Sequence, residues 1–153
     1  MKRLVALAIV LVLPVAVRAD DKDAKAAAQA LLDKGAALFD TRDAAAMAAT
    51  YTEDAQILWF DKDSSTGEIK LSFKKDRAEI EALYHDLFKD AKEKTTSKNT
   101  VEFARFITSD VMVIHGVFQP NVDKPDKYSF VQTRVKVGDK WLMKVLELYV
   151  IGE

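Results

Sequence analysis

The most constraining feature of this sequence is the dipeptide Gly138-Asp139, which stands between two long β-prone runs at residues 128–137 and 140–150. A two-residue turn of this composition joins antiparallel strands and sets which residues lie opposite each other. Counting outward from the turn predicts three cross-strand pairs: Val137 with Lys140, Arg134 with Met143, and Phe130 with Glu147. The C-terminal part of the chain is therefore expected to fold as a long antiparallel hairpin.

The chain before this hairpin divides into a mainly helical part and further strands. Residues 23–39 and 44–51 carry apolar side chains at helical spacing, and Asp76 with Glu79 has the spacing of a capping box before a third helix. Apolar, β-prone runs predict strands at residues 56–60, 68–73, 101–107 and 111–118. This order is typical of an α+β fold in which helices pack on one face of a curved sheet.

Residues 1–19 have the composition of a secretory signal peptide. A positively charged start precedes an apolar run at residues 4–17, and the small residue Ala19 stands before an acidic segment. Those 14 apolar residues are too few to span a bilayer, which takes about 20, and Pro14 would interrupt such a helix. We therefore expect cleavage after Ala19, a periplasmic or secreted protein, and one mature domain at residues 20–153.

Composition argues against several classes of function. Removal of Lys2, Arg3 and Arg18 with the signal peptide leaves 20 cations against 24 carboxylates, a balance that favours neither nucleic acid nor an anionic membrane. The absence of Cys excludes disulfides and thiolate chemistry, and two His residues leave little for a metal site. We predict no metal, no cofactor, no nucleic-acid partner, and no membrane partner once the signal peptide is removed.

Two polar residues in apolar strands are candidates for chemistry. His115 alternates with valines in a strand expected to be central and at least half buried, and its pKa range suits acid or base catalysis. Glu147 lies between Val145 and Tyr149, where a carboxylate is costly unless it is paired or protonated. Structural roles stay open for both: a hydrogen-bonded or interface histidine, and a carboxylate paired with a cation at the end of a strand.

The hairpin register also predicts the wall of a pocket. It places Gln132 and Arg134 on one face with Trp141 and Glu147, and an apolar wall with a few convergent polar groups is typical of small-ligand sites. The predicted wall consists of Trp59, Gln132, Arg134, Trp141, Met143, Glu147 and Tyr149. The opposite face, which we expect a second copy of the chain to cover in a homodimer, carries Val131, Val135, Leu142 and Leu146.

Several segments, in order along the chain, resemble a known family. Residues 38–55 resemble the opening of SnoaL-like proteins, which belong to the nuclear transport factor 2-like superfamily. Residues 77–84 resemble the start of their third helix, and residues 138–143 resemble their final hairpin. Residues 106–116 resemble the mid-sheet strand of the SgcJ/EcaC-type branch. The resemblance covers nearly the whole mature chain.

The resemblance implies a cone-shaped half-barrel, in which three helices close one end of a curved, mainly antiparallel sheet around a pocket. It also implies dimers through the outer sheet surface. The superfamily contains isomerases, dehydratases, polyketide cyclases, epoxide hydrolases and proteins without catalytic activity, so the fold does not settle the function. Asp76 stands where the family usually has Gly, and Val145 and Glu147 stand where many relatives have His, whose chemistry cannot be transferred.

Three hypotheses for function follow. The first is an exported protein that holds a small, largely apolar molecule in its cone. The second is an acid/base enzyme of the same shape, of the isomerase, dehydratase or cyclase type, in which His115 and Glu147 act as acid and base. The third is a dimerisation module that serves another protein. The second requires both side chains to reach one bound atom, and hence to share a face of the sheet.

Overall fold

The computed structural model describes residues 21–63, 65–89 and 95–150, so the predicted signal peptide lies outside the described residues. Their helices and strands are, in order, α1 (Asp21–Thr41), α2 (Ala44–Ala48), β1 (Tyr51–Lys62), β2 (Ile69–Lys75), α3 (Asp76–Lys89), β3 (Lys98–Thr108), β4 (Val111–Gln119), β5 (Tyr128–Val137) and β6 (Lys140–Val150). Within this part of the chain, no helix is both long enough and apolar enough to cross a lipid bilayer.

The strands form one curved, unclosed sheet in the order β2-β1-β6-β5-β4-β3. Neighbouring strands are antiparallel except β1 and β6, which run parallel. The core lies between the concave face of this sheet and the helices. The predicted fold class, an α+β half-barrel with three helices on a mainly antiparallel sheet, is confirmed.

The boundary between α2 and β1 differs from the prediction. Tyr51 was expected to end the second helix, but α2 stops at Ala48 and Tyr51 begins β1. The Met143 N–H donates to the Thr50 carbonyl (2.9 Å), so pairing with β6 starts directly after the helix. Tyr51 is completely buried at this junction. Sheet pairing and burial of a large ring therefore outweigh the helical tendency of the alanine-rich segment.

The side chains of α1 and β3 tie the helix to the edge of the sheet. Gln29 Oε1 accepts a hydrogen bond from the Val101 N–H (3.0 Å), and Gln29 Nε2 donates to the Asn99 carbonyl (3.0 Å). The Asn99 side-chain amide donates to the Leu32 carbonyl (3.1 Å). Unpaired backbone groups on an edge strand invite association with other chains. α1 therefore closes the cone and protects this edge at the same time.

The first residue of α3 acts as its cap. Asp76 Oδ1 accepts a hydrogen bond from the Glu79 N–H, and Glu79 Oε2 accepts one from the Lys75 N–H, both at 3.0 Å. Asp76 has a φ of 63°, in the left-handed region that Gly adopts at least cost. The aspartate therefore offers a side-chain cap where a glycine would offer conformational freedom.

A β-bulge in β6 changes the register of the last hairpin. The pairs nearest the turn are as predicted, namely Val137 with Lys140 and Arg134 with Met143. The next residue, Lys144, has no partner on β5, so Thr133 lies opposite Val145. Because side chains alternate between the two faces of a sheet, one extra residue turns every later residue of β6 to the other face.

The predicted pairing of Phe130 with Glu147 is therefore wrong. Phe130 lies opposite Leu148, and Glu147 lies opposite Val131. Leu146, which was expected on the outer face, is only 7% exposed and belongs to the core. The part of β6 after the bulge directs Val145, Glu147 and Tyr149 away from the helices.

Candidate functional site

A cavity of about 850 Å³ lies between the concave face of the sheet and the helices. This volume is within the roughly 300–1,000 Å³ typical of small-molecule sites. Small residues, namely Gly35, Ala46 and Ala49, leave space on the helical side. Much of the remaining wall is apolar and includes Leu31, Leu38, Phe39, Leu83, Phe118 and Leu148. The cavity therefore suits a molecule with a large apolar surface.

A buried guanidinium is the main charged group of this wall. Arg134 projects from β5, is only 6% exposed, and donates through Nε to Gln132 Oε1 (2.9 Å). Gln132 is its only hydrogen-bond partner among the residues that the structure describes, and no carboxylate of that set lies within 4.0 Å of it. Burial lowers the pKa of Arg134, while the nearby hydroxyls of Tyr51 and Tyr84 act in the opposite direction.

Those two tyrosines form a hydrogen-bonded pair in the same wall. Tyr51 Oη and Tyr84 Oη lie 2.8 Å apart, and either can be the donor. Burial, with a further contribution from Tyr84, raises the pKa of Tyr51 well above its ordinary value, and burial raises the pKa of Tyr84 to about 12. Both hydroxyls are therefore protonated at neutral pH. One proton joins the two oxygens, and the other is available to a further acceptor.

The cavity brings together five of the seven residues predicted for the pocket wall. The five that line it are Trp59, Gln132, Arg134, Trp141 and Met143. The other two, Glu147 and Tyr149, face outward, and the prediction that they share a face with Arg134 is wrong. The physical reason is the bulge at Lys144, which the alternation of the sequence does not reveal. Contact between the five lining residues and a ligand stays a prediction.

On the outer face, Glu147 and Tyr149 contact each other. The Tyr149 hydroxyl donates to Glu147 Oε2 (2.6 Å), and its ring stacks on Phe60 with centroids 5.0 Å apart. The hydrogen bond to Glu147 raises the pKa of Tyr149 to about 12. This carboxylate is thus hydrogen-bonded to a hydroxyl group on the outer face, and no cation in the described part of the chain lies within 4.0 Å of it.

His115 also lies on the outer face. It is exposed, in contrast to the expected burial, and its ring packs edge-on against Phe103 with centroids 5.7 Å apart. His115 and Glu147 share a face of the sheet, because both lie opposite Val131, one from β4 and the other from β6. That face is turned away from the cavity. An acid/base pair inside the cone therefore cannot consist of these two residues.

The tyrosine pair is absent from the site residues predicted from the sequence. Tyr84 lies on the apolar face of the third helix, and a buried tyrosine normally finds a partner for its hydroxyl. The need of a buried tyrosine for a hydrogen-bond partner was therefore the feature of the sequence that could have pointed to this pair. Tyr51 was predicted to end the second helix, and a residue there would not be expected to contact Tyr84. As the first residue of β1 it lies on the concave face of the sheet, where its hydroxyl reaches that of Tyr84.

The described residues contain no group of three or more His, Asp or Glu placed to hold a metal ion. In the β1–β2 loop, Asp63 Oδ1 instead accepts hydrogen bonds from the backbone and hydroxyl of Ser65 and from the Thr66 N–H. These bonds lower the pKa of Asp63 to about 2. The aspartate therefore stabilises a turn, which leaves Arg134 as the main buried charge with which the cavity could hold a ligand.

Comparison with known proteins shows a likeness in fold. No protein-family model and no curated protein matches the chain. A nuclear transport factor 2-like protein of unknown function from Shewanella oneidensis has a TM-score of 0.61 and 16% identity, covering 78% of this chain and 93% of that one. A ketosteroid isomerase-like protein from Erwinia carotovora has a TM-score of 0.60 and 15% identity, covering 88% and 99%.

A scytalone dehydratase-like protein from Novosphingobium aromaticivorans is similar to the same extent. Its TM-score is 0.61 at 14% identity, and the match covers 80% of each chain. Identities this low establish a shared fold and leave activity open. Together with the cone of three helices on a curved sheet, these structures show the fold that the sequence resemblance implied. The protein has the fold of the nuclear transport factor 2-like superfamily.

Proposed function

We propose that this protein binds a small, largely apolar molecule in its cone-shaped cavity. The observation that carries the proposal is the cavity of about 850 Å³, whose mainly apolar wall contains one buried cluster of polar groups. Unfilled space inside a protein is costly, at about 1 kcal/mol for each methyl-sized void. A cone filled by its own side chains would have favoured the dimerisation module instead. The four segments that resemble SnoaL-like proteins, of which residues 106–116 resemble the SgcJ/EcaC-type branch, support the same proposal.

An acid/base enzyme is the second hypothesis, and the fold is shared with dehydratase-like and isomerase-like proteins. Such an enzyme needs a base that reaches the bound substrate. The ionisable residues of the described wall are Arg134, Tyr51 and Tyr84, which are buried, and Lys34, Asp139 and Lys140, which are exposed. None of the buried groups is a base at neutral pH. The geometry therefore supports binding better than proton abstraction.

Occupation of the cavity is testable with a neutral fluorescent probe, N-phenyl-1-naphthylamine. We expect saturable binding with one probe per chain, accompanied by a change in the emission of Trp59 and Trp141, which line the cavity. The substitution Gly35→Phe directs a ring into open space, because a Cβ built at this position has no atom within 4 Å apart from its chain neighbours and the nearby backbone of α1. It should weaken probe binding at least about tenfold without lowering Tm.

The matched control is Ala30→Phe, which adds the same ring to an exposed position of α1. This variant should bind the probe as the parent protein does. Equal binding by both variants would place the probe elsewhere and contradict the proposed site. Unsaturable binding by the parent protein would contradict the proposed function itself.

The outer face of the sheet supports the proposal of a homodimer. Large apolar side chains of the edge strand β2 are exposed there, with Ile69 at 64%, Leu71 at 55% and Phe73 at 62%. The same face carries Val131 and Val135 on β5 and Leu142 on β6, as predicted. Val145 takes the place of Leu146 on this face because of the bulge. Exposed apolar side chains grouped on one face of a sheet are typical of a surface that another protein covers. A second copy of the chain is the proposed cover.

Light scattering tests this association. The mature protein should show twice the mass of one chain at micromolar concentration. Val131→Asp should reduce that mass to one chain, because it places a carboxylate in the middle of the contact. Ala30→Asp, which adds the same charge to an exposed position of α1, should remain dimeric. A monomeric parent protein would remove the proposed interface.

Export to the periplasm or the medium is proposed from residues 1–19. The charged start, the apolar run and Ala19 support it. N-terminal sequencing of protein recovered from the cell envelope or the medium should begin at Asp20. A retained Met1 in that material would contradict cleavage.

A further inference from the structure

We propose that the ligand of this cavity is a monocarboxylic acid, whose carboxylate is bound by the guanidinium of Arg134 and the paired hydroxyls of Tyr51 and Tyr84. This inference rests on the proposed binding function and names the chemical class of the ligand.

The guanidinium of Arg134 is a buried positive charge that no described carboxylate pairs with. Arg134 is 94% buried, since only 6% of it is exposed, and no described carboxylate lies within ion-pairing distance. A buried cation without a partner lowers the stability of a fold and is retained where a ligand or a mechanism uses it. An anionic ligand group would supply the missing charge.

The donors left over on Arg134 match a planar anion. Nε is used by Gln132 Oε1, which fixes the plane of the guanidinium, while the two Nη groups donate to no described residue. Two parallel N–H donors on a guanidinium are complementary to the two oxygens of a carboxylate. A neutral carbonyl would leave the positive charge unpaired, and a phosphate dianion would bring more charge than this single cation balances.

The tyrosine pair adds a third donor. The Tyr51–Tyr84 hydrogen bond consumes one hydroxyl proton and leaves the other for an acceptor. Arg134 lies close enough to both hydroxyls for its charge to lower their pKa values against the raising effect of burial. A carboxylate with its oxygens toward Arg134 would therefore also lie near these hydroxyls and could accept a hydrogen bond from the one whose proton is unused.

The rest of the ligand must be apolar. Outside the polar cluster the wall is formed by aromatic and aliphatic side chains, including Trp59, Phe118, Trp141 and Leu148. A small number of polar groups in an apolar cavity fixes the orientation of a ligand and selects its polar end. An aromatic or aliphatic acid with one carboxylate fits both parts of the wall.

Calorimetric titration with matched probes tests the inference. The probes are decanoic acid and 2-naphthylacetic acid, each compared with its primary amide. The fifth probe is 2-naphthalenesulfonate, whose anionic group is tetrahedral where a carboxylate is planar. Near neutral pH the parent protein should bind each acid at least about tenfold more tightly than its amide. The sulfonate should bind more weakly than 2-naphthylacetic acid.

Variants assign the preference to Arg134. Arg134→Met should remove the acid preference while the amides bind within about threefold of the parent protein. Arg134→Lys should retain part of the preference, because it keeps the charge without the planar pair of donors. Arg105→Gln removes a cation from the exposed surface of β3 and should change nothing.

The outcomes separate the inference from the proposed function. Equal binding of acids and amides by the parent protein, or tighter binding of the sulfonate, would overturn the carboxylate assignment and leave the binding function standing. Failure of every probe to bind the parent protein would overturn both. A lower Tm in Arg134→Met together with loss of the amides would make Arg134 a structural residue and overturn the assignment. A Tm equal to or above that of the parent protein would support it.

Discussion

The two faces of the same sheet differ in how deeply their polar residues are buried. On the concave face, Gln132 and Arg134 are at most 6% exposed and hydrogen-bonded to each other beside the cavity. On the outer face, His115 is exposed, and Glu147 accepts a hydrogen bond from a neighbouring tyrosine. All four residues interrupt apolar strands and therefore look alike in the sequence. What decides which of them line the cavity is the face of the sheet on which each side chain lies.

The difference shows how much depends on one extra residue. Up to Met143, the alternation counted from the Gly138-Asp139 turn holds, and Arg134 faces the cavity as predicted. After Lys144 it is inverted, and Glu147 faces outward. A carboxylate at the surface costs little, whereas Arg134 is retained at a cost in stability. The costly residue is the better indicator of function.

Leu146→Ala should break this comparison most severely. The bulge directs Leu146 into the core, where it is only 7% exposed. We expect a loss of about 3 kcal/mol in the free energy of unfolding, because the substitution removes buried methyl groups and leaves a void. Urea unfolding measures the loss.

The control is Val145→Ala, the neighbouring position, which the bulge directs to the outer face. The stability of the monomer should fall by about 1 kcal/mol or less. A larger loss from Val145→Ala than from Leu146→Ala would show that the bulge does not decide which residues face the core.

The neighbouring residues Gly116 and His115 give a second comparison between the faces. A Cβ at position 116 would lie 2.8 Å from Cζ of Phe130, inside the packed core. Gly116→Ala should therefore cost about 2 kcal/mol. His115→Ala, on the outer face, should change the stability of the monomer by less than about 0.5 kcal/mol. Similar losses in chemical denaturation would refute the assignment of these residues to opposite faces.

The tyrosines of the two faces should differ in alkaline solution. The pKa of Tyr84 is raised to about 12 by burial, above the ordinary value of 10.0, so the protonated hydroxyl is favoured in the folded state. Its contribution to stability is complete below about pH 10 and is lost as the pH rises through about 12. Tyr84→Phe should cost about 1 kcal/mol at neutral pH and make the alkaline loss of stability shallower.

Tyr149→Phe is the outer-face counterpart. The pKa of Tyr149 is also raised to about 12, chiefly by the hydrogen bond to Glu147, but water screens this pair. The variant should follow the alkaline unfolding curve of the parent protein more closely than Tyr84→Phe does. An equal or larger change from Tyr149→Phe would be inconsistent with burial as the main source of the difference.

The smallest expected effect is that of Glu147→Leu. Because Glu147 faces outward, uptake of 2-naphthylacetic acid should be unchanged. Gln132→Leu removes the acceptor that orients Arg134 and should weaken the same binding about fivefold. Calorimetry on both variants decides the matter. Weaker binding in Glu147→Leu with an intact fold would return this carboxylate to the site.

The sequence by itself determined the fold class, the strands from residue 101 onward to within a few residues, and the cap of α3. It also identified five residues of the cavity wall, including Arg134. These features are local: they depend on alternation, helical spacing and the chemistry of a two-residue turn. Each of these patterns lies within a short stretch of chain, and the tertiary contacts of the protein are consistent with it.

Only the tertiary structure decided the face of Glu147, the exposure of His115 and the meeting of Tyr51 with Tyr84. The bulge at Lys144 lies where β6 pairs with β1, and β1 is itself irregular between Tyr51 and Gln56. The two irregularities lie in neighbouring strands, although Gln56 and Lys144 are more than 80 residues apart in the sequence. A bulge of this kind depends on the neighbouring strand and on the core beneath it, so no local pattern in the sequence predicts it.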